Sequence, residues 1–362
     1  MTRHPQAAAS PSALLTGSLA ALWPQHEAHW ARLGSGRLFL AGGSGLFGVW
    51  LLHGIDLARR RLGLNLEVTL LSRNPAAFAR QHPELASAPW LHCLAGDVRD
   101  FQAPTGAYDW LIHGATTSAQ ETFAGESSLN KFDLLVQGTR HLLDFAARQP
   151  LRRLLFLSSG AVYGPQPAGT LRIDECNPAA PQTTDRQSGL AQGKRAAEYL
   201  CSEYAARDGY ELVIARCFSF AGPLLPTRLH YAFGNFIAQA LEQPEIVIQG
   251  DGLPLRAYLY LADLVGWLVA LLGSPAAHGV YNVGSDQALS IAELAGLIRD
   301  ELAPGKPVRI LGDPAAGTGN PVRNSYVPEI ELARRELGLA VWTPLTAMIH
   351  QTAASFRLNP AL

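Results

Sequence analysis

A glycine-rich turn between a short apolar run and a helical pattern restricts the fold of this 362-residue chain more than any other feature. Residues 37–41 are mostly apolar, glycines follow at once, and residues 46–61 place their apolar side chains on one helical face. Glycine permits a tight turn, lets backbone N–H groups approach a pyrophosphate and allows a helix to pack closely on a strand. The pattern therefore predicts a dinucleotide-binding turn. Its residues are Gly42, Gly43, Ser44, Gly45, Leu46, Phe47 and Gly48.

Apolar runs and helical patterns continue to alternate along the next part of the chain. Predicted strands span residues 66–71, 90–95, 110–113, 153–157 and 212–215, and predicted helices span 127–148 and 187–207. This alternation is typical of βαβ units, which build a parallel sheet with helices on both faces. The predicted fold class is α/β, a Rossmann doubly wound parallel sheet with a smaller C-terminal α/β lobe that binds substrate.

The second part of the chain mixes shorter elements. Predicted helices span residues 231–241, 261–272, 291–301 and 329–337, and predicted strands span 246–248, 256–259, 280–283 and 308–311. Residues 312–320 are rich in glycine and proline, which predicts a mobile lid. We expect a helical extension at 1–33, a cofactor-binding domain at 34–222 to which 261–285 return, and a substrate lobe in most of 223–362.

Composition excludes several classes of protein. Hydrophobic residues make up 48% of the chain and charged residues 16%, which allows a sizeable core. Lys and Arg total 29 against 30 Asp and Glu, which argues against a nucleic acid or an anionic membrane as partner. The four cysteines are far apart, so we expect no metal site and a reducing compartment. Residues 14–23 are too short and too interrupted for a membrane span or a signal peptide, and we expect a cytoplasmic protein.

The residues after the second and third predicted strands bear on the cofactor. Ser72 and Arg73 stand where an NAD-binding protein usually carries an acidic residue for the ribose hydroxyls. A hydroxyl and a guanidinium suit the 2′-phosphate of NADP, so we expect NADP, with NAD as the alternative. Arg73 could instead be a solvated loop residue. Asp97 and Val98 follow the third strand, where a carboxylate commonly meets the adenine.

Further motifs extend well beyond the glycine turn. They are Gly-Asp-Val at 96–98, His-Gly-Ala-Thr at 113–116, Ser-Ser-Gly-Ala-Val-Tyr-Gly at 158–164, Gly-Lys-Arg-Ala-Ala-Glu at 193–198, Ala-Gly-Pro at 221–223, Gly-Asp-Gly at 250–252 and Asn-Val-Gly at 282–284. On these motifs, from about residue 38 onward, the chain resembles the extended short-chain dehydrogenase/reductases, the NAD(P)-dependent nucleotide-sugar epimerase/dehydratase family. Within that family it is most similar to the 4-ketoreductases and epimerases.

The resemblance implies roles for particular residues. Ser159 matches the residue that holds the substrate oxygen, and Lys194 matches the lysine that binds the nicotinamide ribose. His113 and Ala115 fall in a segment that lines the cofactor. The family carries a proton-transferring tyrosine four residues before the lysine, but this chain has Leu190 there. We therefore expect an atypical acid or base.

Other groups are candidates for the missing proton transfer. Tyr163 could approach the cofactor, although its usual role in the family is structural. Lys194 could itself act as acid or base if its pKa is lowered. Thr117 follows the fourth strand, where the family contacts substrate. Gly160 and Ala161 replace the acidic pair of the 4,6-dehydratases, which argues against a standard dehydratase.

The resemblance also suggests where substrate binds. Arg256 and Asn235 match positions that face a nucleotide diphosphate, and an arginine fork suits phosphate. A salt bridge to Asp251 or Asp263 is the alternative for Arg256. Thr116, Ser118 and Ser219 are further candidates for substrate contacts, whereas a polar loop that caps a helix would explain Thr116, Thr117 and Ser118 equally well.

The sequence leaves three functions open. The first is an enzyme that binds NADP(H) and performs 4-ketoreduction or epimerisation on a nucleotide sugar or similar polyhydroxylated substrate. The second is an enzyme of altered chemistry on the same scaffold, such as elimination, isomerisation or cyclisation. The third is a cofactor-binding protein without catalysis. The resemblance further implies a homodimer in which helices 127–148 and 187–207 pair with their symmetry mates. Leu134, Leu142 and Leu143 agree with that interface but could equally face the sheet.

Overall fold

The computed structural model describes residues 10–117, 121, 125–167, 169–227, 229, 231–312 and 325–359. Its strands are β1 Gly36–Ala41, β2 Leu66–Ser72, β3 Leu91–Ala95, β4 Trp110–His113, β5 Arg153–Ser159, β6 Glu211–Cys217, β7 Ser219–Ala221, β8 Ile246–Ile248, β9 Leu255–Arg256, β10 Tyr258–Tyr260, β11 Gly279–Val283, β12 Leu289–Ser290 and β13 Val308–Ile310. Its helices are α1 Pro11–Ala21, α2 Trp23–Leu33, α3 Leu46–Leu62, α4 Pro75–Gln81, α5 Pro83–Ala86, α6 Ser128–Ala146, α7 Gly189–Asp208, α8 Ala232–Glu242, α9 Leu261–Gly273, α10 Ile291–Leu302, α11 Glu331–Leu337 and α12 Leu345–Leu358.

Seven parallel strands form the central sheet, in the order β3-β2-β1-β4-β5-β6-β11. Ala41 at the end of β1 lies opposite Leu71 of β2 and His113 of β4, so the carboxyl ends of these strands meet at one edge. The strand order reverses between β1 and β4, and ligands of open α/β sheets bind at such a point. The predicted Rossmann-like α/β fold is confirmed.

Side chains of the sheet alternate between two hydrophobic layers. In β1, Leu38 and Leu40 join the core beneath α1, α3 and α9, whereas Phe39 and Ala41 join the core beneath α6 and α7. This is the period of two that a strand buried on both faces requires. Leu142 and Leu143 belong to the second layer and are fully buried, and Leu134 is 7% exposed. These three leucines therefore face the sheet and do not form an exposed helix surface.

The N-terminal segment forms two helices instead of one continuous extension. Helix α1 ends at Ala21, and α2 begins at Trp23 with Pro24 in its first turn, where a missing N–H is tolerated. Trp30 of α2 is almost completely buried, and a methyl group on Gly54 of α3 would lie 2.8 Å from its ring. Close packing on α3 and α9 thus explains why this segment is helical.

The second part of the chain differs from the sequence prediction in several places. The single strand predicted at 256–259 is wrong, because β9 pairs with β12 whereas β10 pairs with β7, and Ala257 separates them. Helices α4, α5 and α12 and strands β7 and β12 were not predicted. Most of the predicted lid at 312–320 lies outside the described residues. No helix in the described part of the chain is long and apolar enough to cross a membrane.

Candidate functional site

A cavity of about 1540 Å³ opens at the carboxyl ends of the central strands. Its wall includes the glycine turn, the ends of β2, β4 and β5, the start of α7 and part of the second lobe. The predicted site residues on this wall are Gly42, Ser44, Gly45, Leu46, Phe47, Gly48, Ser72, Arg73, Asp97, Val98, Ala115, Thr116, Thr117, Ser159, Lys194, Ser219 and Arg256. The structure therefore brings most of the sequence candidates together.

The glycine turn is shaped by two close approaches and one open position. Gly42 has a φ of 87°, and a Cβ there would lie 2.4 Å from the carbonyl carbon of Gly114. A Cβ on Gly48 would lie 2.2 Å from Gly43 Cα. At Gly45, the N-cap of α3, the nearest atom to an added Cβ is 3.4 Å away. The open space over a helix N-terminus is a cradle that fits a cofactor pyrophosphate.

Arg73 is held by an ion pair at the end of β2. Its guanidinium donates to both carboxylate oxygens of Glu121, at 2.8 and 3.1 Å, which raises the pKa of Arg73 above its usual value. Ser72 is 5% exposed, and its hydroxyl accepts a hydrogen bond from the Asn74 N–H. A 2′-phosphate at Arg73 would therefore compete with Glu121.

Asp97 and His113 also have partners within the protein. Arg99 donates to both oxygens of Asp97, at 2.8 and 3.1 Å, and lowers the pKa of that carboxyl. His113 Nε2 lies 2.8 Å from Thr139 Oγ1, and burial lowers the pKa of its imidazole to about 3. The ring of His113 is packed in the core and does not line the cavity, whereas Ala115 of the same segment does.

Ser159, Leu190 and Lys194 lie together on the cavity wall. Ser159 ends β5, and its Oγ accepts a hydrogen bond from the Ala161 N–H at 3.1 Å. Lys194 is 4% exposed, and its Nζ donates to the Leu157 carbonyl at 2.6 Å. Burial lowers the pKa of Lys194 to about 8. Leu190 lies one turn before Lys194 on α7 and brings no group that can exchange a proton.

A buried polar network fixes the end of β5 against α7. Ser158 Oγ donates to Glu198 Oε1 at 2.5 Å, and Arg216 donates to both oxygens of Glu198 at 3.1 and 2.8 Å. Glu198 lies one turn after Lys194 on the same helix. The network therefore sets the position of Ser159 relative to Lys194.

Tyr163 does not reach the cavity. Its hydroxyl donates to Asn282 Oδ1 at 2.8 Å, and the Arg216 guanidinium lies 4.8 Å from its ring centre. Burial raises the pKa of Tyr163 to about 12. Because this phenol is enclosed between β5, β6 and β11, the structure does not support it as a replacement for the missing tyrosine.

Sequence reasoning missed Tyr326, whose phenol lies beside Ser159. Its Oη is 3.4 Å from Ser159 Oγ and donates to the Cys217 carbonyl at 3.3 Å. The Tyr326 N–H donates to the Leu255 carbonyl at 3.0 Å, which attaches this segment to β9. No spacing rule relates residue 326 to residue 190, so no sequence signal could have found this contact.

The substrate candidates divide into two groups. Arg256 lies on the cavity wall, donates to the Leu255 carbonyl at 2.8 Å, and has its pKa lowered by burial. Its alternative partner Asp263 accepts hydrogen bonds from Trp342 and Thr343 instead. Asn235 lies on α8 away from the wall. Ser118 is outside the described residues.

The names of the chain's curated relatives are those of enzymes that act on nucleotide sugars. Over 223 residues the chain is 32% identical to UDP-glucuronic acid decarboxylase 1 of Xenopus tropicalis, which covers 61% of this chain and 50% of that protein. The chain thus spans about half the length of this relative and of the Danio rerio decarboxylase. A dTDP-glucose 4,6-dehydratase of Actinoplanes is 26% identical over 77% of this chain and 84% of its own length.

Solved structures of low sequence identity share the fold. An epimerase from Methanothermobacter thermautotrophicus matches with a TM-score of 0.75 and 19% identity, covering 94% of this chain and 97% of that one. A dTDP-glucose 4,6-dehydratase from Streptomyces venezuelae, solved with NAD and TYD bound, matches with a TM-score of 0.74 and 24% identity. The match covers 90% of this chain and 98% of that one.

The model of the NAD dependent epimerase/dehydratase family matches residues 38–284, which is more than half of the chain. That range begins in the strand before the glycine turn and ends just after β11, so it includes the whole parallel sheet and Ser159, Leu190 and Lys194. The chain belongs to the NAD-dependent epimerase/dehydratase family.

Proposed function

We propose that the protein is an NAD(P)-dependent enzyme that performs 4-ketoreduction or epimerisation on a nucleotide sugar. One observation carries this proposal: the glycine turn, Ser159, Lys194 and Arg256 line a single cavity. The proposal is supported because the glycine turn can hold a pyrophosphate, Arg256 can bind a phosphate, and both share this wall with a hydroxyl that can hold a carbonyl oxygen.

The residues of this wall have distinct tasks in the proposed reaction. The nicotinamide, when bound, supplies or accepts a hydride. Ser159 donates a hydrogen bond to the substrate oxygen and orients the carbonyl. Lys194 binds the ribose of the cofactor, and Arg256 binds the diphosphate of the substrate. Leu190 keeps an apolar surface beside the reacting carbon, so the proton must come from another group.

Mixing the protein, loaded with cofactor, with a panel of nucleotide sugars tests this function. The panel contains UDP-glucose, UDP-glucuronic acid, dTDP-glucose and a dTDP-4-ketosugar, and the absorbance of reduced nicotinamide reports hydride transfer. We expect transfer with at least one member and a loss of about 10²-fold or more in Ser159→Ala, because the substrate oxygen loses its donor. The exposed Ser87→Ala variant is the control. A wild-type protein that binds cofactor but transfers no hydride would contradict the proposal.

We further propose NADP(H) as the preferred cofactor, with NAD(H) as the alternative. Arg73 supports this choice, since a guanidinium binds a 2′-phosphate, and the Glu121 ion pair opposes it. Calorimetric titration should show tighter binding of NADPH than of NADH in the wild type. Arg73→Ala should erase the difference, and Glu121→Gln should enlarge it by removing the competing carboxylate. Equal affinities in the wild type would favour NAD(H) or no preference.

A second function is a changed reaction on the same scaffold, such as elimination, isomerisation or cyclisation. Leu190 is the observation that favours it, and a relative named as a decarboxylase supports chemistry beyond simple reduction. If position 190 has only lost a proton donor, Leu190→Tyr should raise ketone reduction, since acid–base catalysis contributes about 10²–10⁴-fold. If the reaction differs, the protein should reduce no ketone with or without the new phenol, and the new phenol should leave its native activity unchanged or lower it. A cofactor-binding protein without catalysis would show neither ketone reduction nor any other turnover, with or without Leu190→Tyr.

We propose a cytoplasmic homodimer. The four cysteines are all free thiols, which supports a reducing compartment. Leu129 on α6 and Tyr199 on α7 are 67% and 64% exposed, and they belong to the helix pair that was expected to meet its symmetry mate. These two side chains replace the buried leucines as the support for that interface.

A further inference from the structure

We infer that Tyr326, from the second lobe, supplies the proton that a tyrosine at position 190 would supply in other members of the family. Its phenol would act as the general acid when the substrate carbonyl is reduced. This inference rests on the proposed function and assigns the one role in it that Leu190 leaves open.

The position of the hydroxyl supports this assignment first. Tyr326 Oη lies 3.4 Å from Ser159 Oγ, and both side chains line the cavity. A carbonyl oxygen held by Ser159 therefore also lies within reach of the phenol, so two donors converge on one acceptor. The Tyr326 ring packs against Phe218 with centroids 4.6 Å apart, which holds the phenol in this orientation.

The lack of a side chain at Gly160 is the second observation that supports the assignment. A Cβ added at Gly160 would lie 2.7 Å from Tyr326 Oη, and the ring of Phe218 would be equally close. The absence of a side chain at 160 thus leaves the space that the hydroxyl occupies. Position 160 is one of the two where the dehydratases carry an acidic pair. A side chain there would take the space that the Tyr326 hydroxyl fills in this chain.

The surrounding charges fit a donor rather than a base. Burial raises the pKa of Tyr326, so the phenol is neutral and carries its proton. The groups that face it are Ser159, the Ala161 N–H, the Cys217 carbonyl and thiol, and Arg256, whose positive charge lowers the cost of a phenolate.

The proton and electron balance of the step is simple. As the carbonyl carbon gains the hydride, the electron pair of the C=O π bond moves onto the oxygen. That oxygen takes the proton from Tyr326 Oη, the ketone becomes an alcohol, and Tyr326 remains as a phenolate. Water returns the proton to the phenolate when the product leaves. A reduced nicotinamide, when bound, would be the reductant and would leave in its oxidised form.

Other candidates for the proton are less well placed. Lys194 Nζ donates to the Leu157 carbonyl, and the Tyr163 hydroxyl is bonded to Asn282 inside the protein. Neither contacts Ser159, whereas Tyr326 does.

The test measures single-turnover reduction of dTDP-4-keto-6-deoxyglucose by NADPH, or of the panel member that the wild type reduces fastest. Tyr326→Phe should lower the rate by about 10²–10⁴-fold and leave the Kd for NADPH unchanged. Tyr210→Phe is the matched control and should keep the wild-type rate, because Tyr210 lies outside the cavity wall and its hydroxyl has no hydrogen-bond partner among the described residues. Adding Leu190→Tyr to Tyr326→Phe should raise the rate at least tenfold above that of Tyr326→Phe alone, because a phenol returns to the reacting oxygen.

A second readout does not depend on turnover. In a crystal structure with NAD and UDP-glucuronic acid, the O4 atom of the sugar should lie within hydrogen-bond distance of Tyr326 Oη. If Tyr326→Phe does not fold, Gly160→Ala, which displaces the hydroxyl without removing it, decides the question by the same loss of rate.

The outcomes separate the inference from the function on which it rests. A wild-type rate in Tyr326→Phe, or O4 bonded to Lys194 instead of Tyr326, would overturn the role of Tyr326 and leave the proposed function intact. If the wild type transfers no hydride to any member of the panel, the proposed function falls, and the inference falls with it.

Discussion

Gly42 and Gly45 belong to the same turn, but a methyl group added to each would meet different surroundings. At Gly42 the backbone has a positive φ, and the methyl would collide with the carbonyl carbon of Gly114. At Gly45 the backbone is extended, and the methyl would project into the open cradle. Glycine at 42 is therefore required by the fold, whereas glycine at 45 leaves room for the proposed cofactor pyrophosphate.

This difference gives a prediction at the scale of the residue. Gly42→Ala should lower the free energy of unfolding by more than about 1 kcal/mol, because alanine strains a positive φ even without a clash. Gly45→Ala should change the unfolding free energy by less than about 0.5 kcal/mol yet weaken NADPH binding at least tenfold. Chemical denaturation and calorimetry measure the two quantities. Tight NADPH binding by Gly45→Ala would show that the pyrophosphate does not lie over this turn.

Single residues also mark the limit of prediction from sequence. Helix periodicity predicts that Leu190 and Lys194 share a face, and the family resemblance implies that Ser159 lies beside them; all three line the cavity. Tyr326 could not, since its contact with Ser159 depends on how a distant segment returns to β9. Tyr163 was proposed from its nearness in sequence to Ser159, but the turn after β5 directs its hydroxyl to Asn282.

At the scale of the element, helix α2 shows how a buried side chain helps to hold the N-terminal segment in place. His26 is fully buried, and neither ring nitrogen has a hydrogen-bond partner among the described residues. Its ring lies 5.9 Å from that of Trp342, and a methyl group on Gly266 would lie 2.6 Å from it. The helix can remain docked only while this imidazole is neutral.

Acid should therefore destabilise the docked helix. Burial lowers the pKa of His26 from 6.5 to about 4, so between these values the unfolded chain binds a proton that the folded chain does not. The stabilising contribution is complete above pH 6.5 and decreases as the pH falls towards 4, by about 1.4 kcal/mol per pH unit. His26→Leu should remove this part of the pH dependence in urea denaturation between neutral pH and about pH 5.

The exposed His278→Leu is the matched control for the loss of an imidazole. Other buried groups also change the stability of the fold in acid. The lowered pKa of His53 adds to the loss of stability, whereas the raised pKa of Asp263, about 6, opposes it. An acid sensitivity that is the same in His26→Leu and wild type would show that the imidazole is not the cause.

Elements with strong periodicity were predicted closely, and short ones were not. The predicted helix at 187–207 is observed as Gly189–Asp208, and the predicted strand at 37–41 as Gly36–Ala41. Strands of two or three residues, such as β9 and β10, are too short for a period to show, and only their pairing partners define them. For the N-terminal segment the sequence predicted a helical extension without dividing it, although Pro24 marks the start of α2.

At the scale of the whole molecule, the cavity depends on both lobes. The sheet supplies the glycine turn, Ser159 and Lys194, whereas Arg256 and Tyr326 come from the second lobe. The order of the sheet follows from alternating strands and helices, so the cofactor end of the cavity was predictable. The substrate end was not, because it is built from short strands whose pairing no local pattern determines.

Assembly is the second prediction at this scale. Tyr199→Glu should convert a homodimer into a monomer in light scattering at micromolar concentration, because a charge would be buried where the paired helices meet. Leu171, which is 58% exposed but lies outside α6 and α7, provides the control variant Leu171→Glu. A monomeric wild-type protein would rule out the proposed dimer.

Transfer of deuterium tests the central claim, that this cavity reduces a sugar carbonyl with a nicotinamide. NADPH that carries deuterium in the transferable position is mixed with the wild-type protein and a dTDP-4-ketosugar, and the product is analysed by mass spectrometry. We predict one deuterium in the product, on the former carbonyl carbon, together with oxidised cofactor. An altered sugar without deuterium, or an unaltered sugar beside intact NADPH, would contradict the claim.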